Sequence, residues 1–245
     1  MAVGIEKALL YEKYRLPYAS EAIDDLLEYT AGSEIVADVG AGTGQLAELF
    51  VERCKKVYLV EPDPAMRYVA SGSLVNFTSI EIYAGSAEKT GLSENSVDLI
   101  VIGNAFHRFK PEACDELRRV LKPNGWIALF TYGFNNQAFT EMLFSKLEEL
   151  KELSGRVEQN WYSTPVEQLF GKAHVHRWNY ALSIKEGWTE FFGAARAGFE
   201  APEPHDLEFS QFERLNREVF ETFAIDGRIQ IDYETRLLVG QPQFR

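Results

Sequence analysis

Short apolar runs alternate with amphipathic stretches over the first half of the chain. The apolar runs are rich in branched residues and occupy positions 35–39, 57–61, 80–85, 97–102 and 126–132. Between some of these runs, apolar residues recur at helical spacing, over positions 46–54 and 114–121. Strands that alternate with helices are typical of a mostly parallel sheet with helices on both faces. The pattern therefore predicts an α/β fold whose core spans 34–131.

The second half of the chain follows a different pattern. It predicts a long helix over 137–153, a strand over 174–184 and two further helices within 186–223. A last strand is expected from position 229, where apolar and polar residues alternate. The sequence shows no repeat, low-complexity tract or linker that would separate a second domain, so we expect residues 1–245 to form a single domain.

Charge and cysteine content narrow the functional classes. The 37 acidic and 25 basic residues give a net charge of −12, which disfavours attraction to a nucleic-acid backbone. Cys54 and Cys114 both fall in helical patterns and do not indicate a disulfide framework. No uninterrupted apolar run approaches the length of a membrane span. We therefore expect a soluble, cytoplasmic protein that binds neither nucleic acid nor membrane.

A glycine-rich turn joins the first predicted strand to the following helix in "EIVADVGAGTGQLAELF", residues 34–50. Such a turn can hold a dinucleotide, a phosphate or another cofactor that carries a nucleoside. The dinucleotide fingerprint would need a glycine at position 45, but the turn has Gly40, Gly42 and Gly44 followed by Gln45. A phosphate-binding P-loop would need a lysine after its last glycine, which is also missing. The spacing therefore disfavours both.

Glu61 ends the second predicted strand, at the edge of the sheet where the glycine turn lies. A carboxylate there can accept hydrogen bonds from both hydroxyls of a ribose. An alternative is a solvated acid at a strand end, with no ligand. Combined with the glycine turn and the following "PDPAM", the ribose interpretation is favoured.

Four segments carry a resemblance to a known family: "VADVGAGTGQLA", "LVEPDPAM", "YAGSAEKTGLSENSVDLIVIGNAFHRF" and "ELRRVLKPNGWIALF". In this order they resemble the class I S-adenosylmethionine-dependent methyltransferases, in particular the small-molecule, type 11-like subgroup. The resemblance covers about residues 34–131. It implies a Rossmann-like sheet of seven strands, mostly parallel with the last strand antiparallel. It also implies methyl transfer from S-adenosyl-L-methionine to oxygen, nitrogen or carbon of a small-molecule acceptor.

The resemblance further implies which residues contact the cofactor. They are Tyr11, Arg15, Asp38, Gly40, Gly42, Glu61, Pro62, Met66, Ser86, Ala87, Asn104 and Ala105. Residues 1–30 would form a helical cover, from which Tyr11 or Arg15 reaches the cofactor carboxylate. Asp38 and the two glycines would line the methionine portion, Glu61 the ribose, and Pro62 and Met66 the adenine. Ser86 stands where the family commonly has an aspartate, and it offers no charge to the adenine amino group.

His107 is the candidate catalytic residue. It follows the fourth predicted strand in "NAFHRF", and its ordinary titration range suits a general base near neutral pH. It could equally shape the pocket or orient its neighbours. The adjacent Phe106 and Phe109 are expected to pack against the cofactor or the core, although an aromatic face beside a sulfonium is electrostatically favourable.

Three further histidines are candidate metal ligands. His174 and His176 are two apart on a predicted strand and share a face, and His205 lies further along the chain. No matching set of cysteine or aspartate ligands completes a site, so we predict no metal.

Aromatic residues are frequent in the second half, and they suggest a pocket wall. Residues 185–224 carry Trp188, Phe191, Phe192 and Phe199 and would form a helical insertion or lid over an apolar or aromatic acceptor. The alternative is that these side chains simply pack against the sheet. Trp161 and Tyr162, in "NWYSTP", are alternative wall residues in a predicted loop.

Two other hypotheses remain beside the methyltransferase. The first is a non-catalytic S-adenosylmethionine-binding module with a regulatory or interaction role. The second is an NAD-dependent oxidoreductase, which Gln45 disfavours.

Overall fold

Seven β-strands form one sheet in the computed structural model, which describes residues 4–154 and 165–242. The strands are β1 (Ile35–Val39), β2 (Lys56–Val60), β3 (Ile80–Tyr83), β4 (Val97–Gly103), β5 (Leu121–Phe134), β6 (Val175–Glu186) and β7 (Ile229–Gly240). Their order is β3-β2-β1-β4-β5-β7-β6. β7 pairs antiparallel with both β5 and β6, and the remaining pairs are parallel. The predicted fold class is therefore confirmed.

The central strands have apolar side chains on both faces because helices cover both sides of the sheet. Along β4, Leu99 and Val101 enter one buried cluster, while Ile100 and Ile102 enter the cluster on the opposite face. This alternation is the two-residue period of a strand. The continuous apolar run at 97–102 thus reflects burial on both faces of the sheet.

Helices connect and flank the strands. They are α1 (Ile5–Tyr14), α2 (Ser20–Tyr29), α3 (Gln45–Glu48), α4 (Pro64–Ser73), α5 (Ala113–Val120), α6 (Gln137–Ser154), α7 (Val166–Phe170), α8 (Trp188–Arg196) and α9 (Phe209–Phe223). A 3₁₀ turn, Phe106–Arg108, follows β4. No helix within the described ranges is long and apolar enough to cross a membrane.

The first crossover helix is shorter than its sequence pattern predicts. α3 ends at Glu48, and the chain continues in tight turns, with the Leu49 amide donating to the Leu46 carbonyl (3.1 Å). Cys54 therefore lies beyond the helix, whereas Cys114 is in α5 as predicted. The chain must return to the start of β1, where the Lys55 amide donates to the Glu34 carbonyl (3.0 Å). This constraint ends the helix although the apolar spacing continues.

The helical insertion, defined as α8, α9 and the segment between them, lies in sequence between β6 and β7. Phe191 and Phe220 pack with Tyr233 of β7 in a buried cluster, so part of the insertion covers the sheet. α1 packs against α8 where a Cβ added to Gly193 would lie 2.6 Å from the Tyr14 ring. The predicted wall residues Trp161 and Tyr162 lie outside the described residues.

The N-terminal helix is also joined to the segment after α8 by a buried cation. Lys7 Nζ donates to the Ala201 carbonyl oxygen (2.7 Å) and lies 3.1 Å from Glu203 Oε1. Tyr11 contacts Phe199 with ring centres 5.7 Å apart. Residues near the N-terminus and residues of the insertion therefore form one continuous layer above the carboxyl ends of the strands.

Candidate functional site

The glycine turn begins directly after β1, at the edge of the sheet where ligands bind in open α/β folds. Gly40 has a φ of 73°, and a Cβ there would lie 2.8 Å from the Ala105 Cβ. Gly44 has a φ of 89°, and its Cβ would lie 2.7 Å from Leu74 Cδ1. Both positions therefore need glycine for conformation and for space. The turn can come close to the end of β4 only because a side chain is missing at Gly40.

Glu61 holds the glycine turn against the end of β2. One carboxylate oxygen accepts a hydrogen bond from the Gly42 amide and the other from the Asp63 amide, both at 2.8 Å. The residue is only 7% exposed, and this burial raises its pKa while the two amides lower it. Each carboxylate oxygen has a further lone pair that can accept a hydrogen bond. Glu61 can thus support the turn and still accept hydrogen bonds from a ligand.

A cleft lies beside the turn. Its empty volume is about 310 Å³, which includes space that is open to solvent. Its lining comprises Tyr11, Arg15, Tyr18, Asp38, Gly40, Ala41, Thr43, Gln45, Leu46 and Gly103. Four residues predicted from sequence are brought together here, namely Tyr11, Arg15, Asp38 and Gly40. Tyr18 and Thr43 were not singled out. Their signals in the sequence are the third aromatic residue of "YEKYRLPY" and a hydroxyl within the glycine turn.

Several polar atoms that line the cleft are buried without a hydrogen-bond partner among the described residues. They are both carboxylate oxygens of Asp38, Oγ1 of Thr43 and Nε of Arg15. An unsatisfied buried polar group costs about 1–3 kcal/mol. A ligand carrying both an ammonium and a carboxylate group would satisfy an acid and a guanidinium together. The end of an amino acid has this chemistry.

Asp38 is the most perturbed acid of the cleft. Burial raises its pKa to about 8, and the charge of Glu61 contributes to the rise. The Ala47 amide acts in the opposite direction, although its approach does not meet the geometry of a hydrogen bond. The Asp38 carboxyl is 1% exposed. At neutral pH it is therefore largely protonated, and a cation bound beside it would favour its ionised form.

Aromatic side chains position Arg15. Its guanidinium carbon lies 5.2 Å from the centre of the Tyr11 ring and 5.3 Å from that of Tyr132. Tyr18 stacks on Tyr132 with centres 4.7 Å apart, and its hydroxyl accepts a hydrogen bond from Asn104 Nδ2 (3.2 Å). The Tyr132 hydroxyl donates to the Leu16 carbonyl. This packing joins the segment after α1 to the ends of β4 and β5.

The remaining predicted cofactor residues are not among those that line the cleft. Pro62 is exposed, and Met66 is buried with Ala8 of α1. Ala87 is buried in the core, and the Ser86 amide donates to the Lys89 carbonyl (3.0 Å).

The two predicted residues after β4 continue directly from Gly103, which lines the cleft. Asn104 has a φ of 48°, a conformation that a non-glycine residue seldom adopts. Its amide donates to the Phe130 carbonyl (2.8 Å), and Ala105 is buried. This conformation lets the chain leave β4 and enter the 3₁₀ turn.

His107 lies in that 3₁₀ turn and has unusually low basicity. Its Nε2 accepts a hydrogen bond from Arg108 Nε at 3.3 Å. Burial lowers its pKa to about 4, and the positive charges of Arg108 and Arg15 add to this effect. The imidazole is therefore neutral at pH 7 and accepts a proton less readily than an ordinary histidine. This environment favours an orienting role over that of a general base.

The other histidines occupy the far edge of the sheet and the insertion. The His174 and His176 rings are 4.8 Å apart, and His176 stacks on Trp178 (5.5 Å). His205 is exposed, between α8 and α9. Within residues 4–154 and 165–242, no group of three or more His, Cys, Asp or Glu side chains is placed to hold a metal ion.

Comparison with known proteins shows which family part of the chain resembles. Residues 37–129, which include most of β1, all of β2 to β4 and the glycine turn, match a family model described as "Methyltransferase domain". This part of the chain is therefore similar to the methyltransferase domains of that family. It is 40% identical over 120 residues to an uncharacterised methyltransferase of Mycobacterium tuberculosis, a match that covers 49% of this chain. The chain spans about half the length of that methyltransferase, 47%.

Two further relatives extend the comparison. An uncharacterised methyltransferase of Geobacillus kaustophilus is 28% identical over 161 residues, which covers 62% of this chain and 73% of that protein. The crystal structure of the YcgJ protein from Bacillus subtilis superposes with a TM-score of 0.59 over 93% of this chain and 100% of that one, at 19% identity. Because the superposition covers 93% of this chain, the shared fold extends beyond residues 37–129, which the family model matches.

Proposed function

We propose that this methyltransferase binds S-adenosyl-L-methionine in the cleft and transfers its methyl group to oxygen, nitrogen or carbon of a small organic molecule. The observation that carries the proposal is the set of unpartnered polar atoms on Arg15, Asp38 and Thr43 beside the glycine turn. These groups suit the charged amino-acid end of the cofactor, and Glu61 at the end of β2 suits its ribose. The fit agrees with the methyltransferase family model that residues 37–129 match.

The proposed roles follow the order of the strands along the sheet edge. Asp38 would accept hydrogen bonds from the cofactor ammonium, and Arg15 with Tyr11 would hold its carboxylate. Gly40 and Gly42 would let the main chain come close to the cofactor. The other positions in the proposed site are Glu61 at the ribose, Pro62, Met66, Ser86 and Ala87 around the adenine, and Asn104 with Ala105 near the sulfonium.

The chemistry needs alignment more than it needs catalytic side chains. When bound, S-adenosylmethionine supplies a methyl group activated by the positive sulfur to which it is attached. The chain's contribution is to orient the acceptor in line with that methyl group and to exclude water. Asn104, fixed by its hydrogen bond to Tyr18, would present main-chain groups at the reacting end. We also propose that residues 1–30 form a cover and residues 185–224 a lid of one domain over 1–245.

The setting of the reaction is part of the same proposal. The net charge of −12 supports a small molecule rather than a nucleic acid as the acceptor. A cytoplasmic location and the absence of a membrane partner are the expectations that accompany it. The core of the fold, residues 34–131, would bind the cofactor.

Calorimetric titration with S-adenosylhomocysteine, the product form of the cofactor, tests the proposal. We expect micromolar binding, with no heat from NADH under the same conditions. Transfer of labelled methyl groups to small molecules would then establish the reaction. Binding without transfer to a broad acceptor set would favour a non-catalytic module, and binding of NADH alone would contradict the assignment.

A further inference from the structure

Cationic and aromatic side chains from three distant segments meet beside the cleft. The Arg108 guanidinium carbon lies 4.1 Å from the centre of the Phe199 ring, and that ring is 5.7 Å from Tyr11. Arg15 lies over Tyr11 at 5.2 Å. The N-terminal segment, the turn after β4 and the insertion thus place two guanidinium groups around one aromatic pair.

The charges of these two arginines act together at His107, because each of them lowers its pKa. Burial makes the largest contribution to that shift and disfavours any charged group, whereas the positive charges of the two arginines favour an ionised carboxyl group. This positive region contrasts with the net charge of −12 of the chain. The negative charges of Glu200, in the insertion, and of Glu61 also act on Arg108. Glu61 is already bound to two main-chain amides.

We propose that the methyl acceptor is a small organic acid, that Arg108 binds its carboxylate, and that a carboxylate oxygen receives the methyl group. This inference rests on the proposed methyltransferase function. A guanidinium group binds one carboxylate oxygen, or both, with defined geometry. Arg15 remains assigned to the cofactor, so Arg108 is the residue that distinguishes an acid from a neutral acceptor.

The reaction with a carboxylate is balanced without a proton acceptor. The carboxylate oxygen supplies an electron pair that forms the new bond to the methyl carbon. The bond between that carbon and sulfur breaks, and sulfur keeps its electron pair and becomes neutral. The products are a methyl ester and S-adenosylhomocysteine, and no proton leaves the acceptor. A hydroxyl acceptor would instead gain from a base, and the low basicity of His107 makes it a poor one.

The first experiment follows the chemical class of the product. The full-length protein is incubated with S-adenosylmethionine carrying a labelled methyl group and with a deproteinised cell extract, and the products are then treated with alkali. We expect labelled methanol to be released, because alkali hydrolyses methyl esters. Label that resists alkali would overturn the carboxylate assignment and leave the proposed function intact. No label transferred by protein that binds S-adenosylhomocysteine would contradict the proposed function, and this inference with it.

The second experiment measures binding without turnover. Protein saturated with S-adenosylhomocysteine is titrated with propionate or with the neutral, similarly shaped propionamide, and the His107 ring signals are followed by NMR. We expect propionate to shift these signals and propionamide to bind at least about tenfold more weakly, because a charged hydrogen bond is lost. Equal binding of the two compounds, or no response to propionate, would overturn the proposal.

Matched variants assign the effect to one residue. Arg108→Gln should weaken propionate binding by about tenfold or more and leave the affinity for S-adenosylhomocysteine within about twofold. Arg177→Gln is the control, because Arg177 is an exposed arginine near the start of β6, at the opposite end of the sheet. Glu200→Gln should strengthen propionate binding, because it removes a negative charge that acts on Arg108. Unchanged binding in Arg108→Gln would exclude this arginine as the acceptor site.

Discussion

Two regions at this edge of the sheet are built from different kinds of contact. At the glycine turn, main-chain amides of Gly42 and Asp63 bind the Glu61 carboxylate at 2.8 Å, and glycine conformation sets the path of the chain. Where the turn after β4 meets the insertion, Arg108 and Phe199 make contact through side chains of segments far apart in sequence. The first region suits a ligand that does not change, such as a cofactor. The second can change by substitution without altering the fold, which suits an acceptor.

The largest effect is expected from Gly40→Ala. The new Cβ would lie 2.8 Å from the Ala105 Cβ at a φ of 73°, so both crowding and conformation oppose it. We expect a loss of about 2–4 kcal/mol in the free energy of unfolding, measured with urea, and loss of S-adenosylhomocysteine binding. Gly32→Ala is the control, because its φ is 94° but nothing lies within 4 Å of the new Cβ. Equal losses in the two variants would show that crowding at the turn is unimportant.

Glu61→Ala should have the next largest effect. We expect the affinity for S-adenosylhomocysteine to fall by about 1–3 kcal/mol, because the ribose loses its acceptor and the Gly42 amide loses its partner. Calorimetry measures the affinity, and urea unfolding separates the contribution to stability. Glu52→Ala, at an exposed glutamate before β2, serves as the control. Unchanged affinity in Glu61→Ala would remove the ribose assignment.

On the insertion side, Gly193→Ala tests the contact between α1 and α8. The new Cβ would lie 2.6 Å from the Tyr14 ring, so we expect α1 to move and lose about 1–3 kcal/mol of packing. Hydrogen exchange should become faster in α1 and remain unchanged in β1 and β4. Gly72→Ala in α4, where nothing lies within 4 Å, should instead stabilise its helix by about 0.5–1 kcal/mol. Unchanged exchange in α1 would mean that the contact does not hold this helix in place.

A pH effect is expected from Asp38, whose pKa is raised to about 8 in the folded protein. The unfolded chain loses this proton near pH 4 and the folded protein near pH 8, so stability conferred by the protonated carboxyl decreases as pH rises between these values. Binding of an ammonium group favours the ionised form. S-adenosylhomocysteine binding at pH 7 should therefore release up to about one proton. Calorimetry in buffers of different ionisation enthalpy measures the number of protons released on binding. Asp38→Asn should abolish this release.

The smallest effect is expected from His107. Because its pKa is lowered to about 4, its titration should not produce an inflection in the rate between pH 6 and pH 8. His107→Ala should lower turnover by disturbing the turn and leave cofactor affinity nearly unchanged. His107→Gln, which retains a polar side chain, should recover part of the loss. A wild-type inflection near pH 6.5 that disappears in His107→Gln would restore the general-base hypothesis.

Local patterns were enough to predict the sheet. The apolar run at 35–39 coincides with β1, and alternation from Ile229 marks β7. The helix predicted over 46–54 was too long, because the chain has to return to the edge of β1 after Glu48. Periodicity records which side chains are buried, and both a helix and a series of tight turns can bury them.

The sequence by itself determined the α/β fold, the glycine turn and the acid after β2, because each depends on residues close together in the chain. Only the tertiary structure decided which side chains share the cleft. Tyr18 is brought there by packing of the N-terminal segment over the sheet edge, and Arg108 meets Phe199 because the insertion folds back across it. Contacts between distant segments depend on the whole core, and no short pattern encodes them.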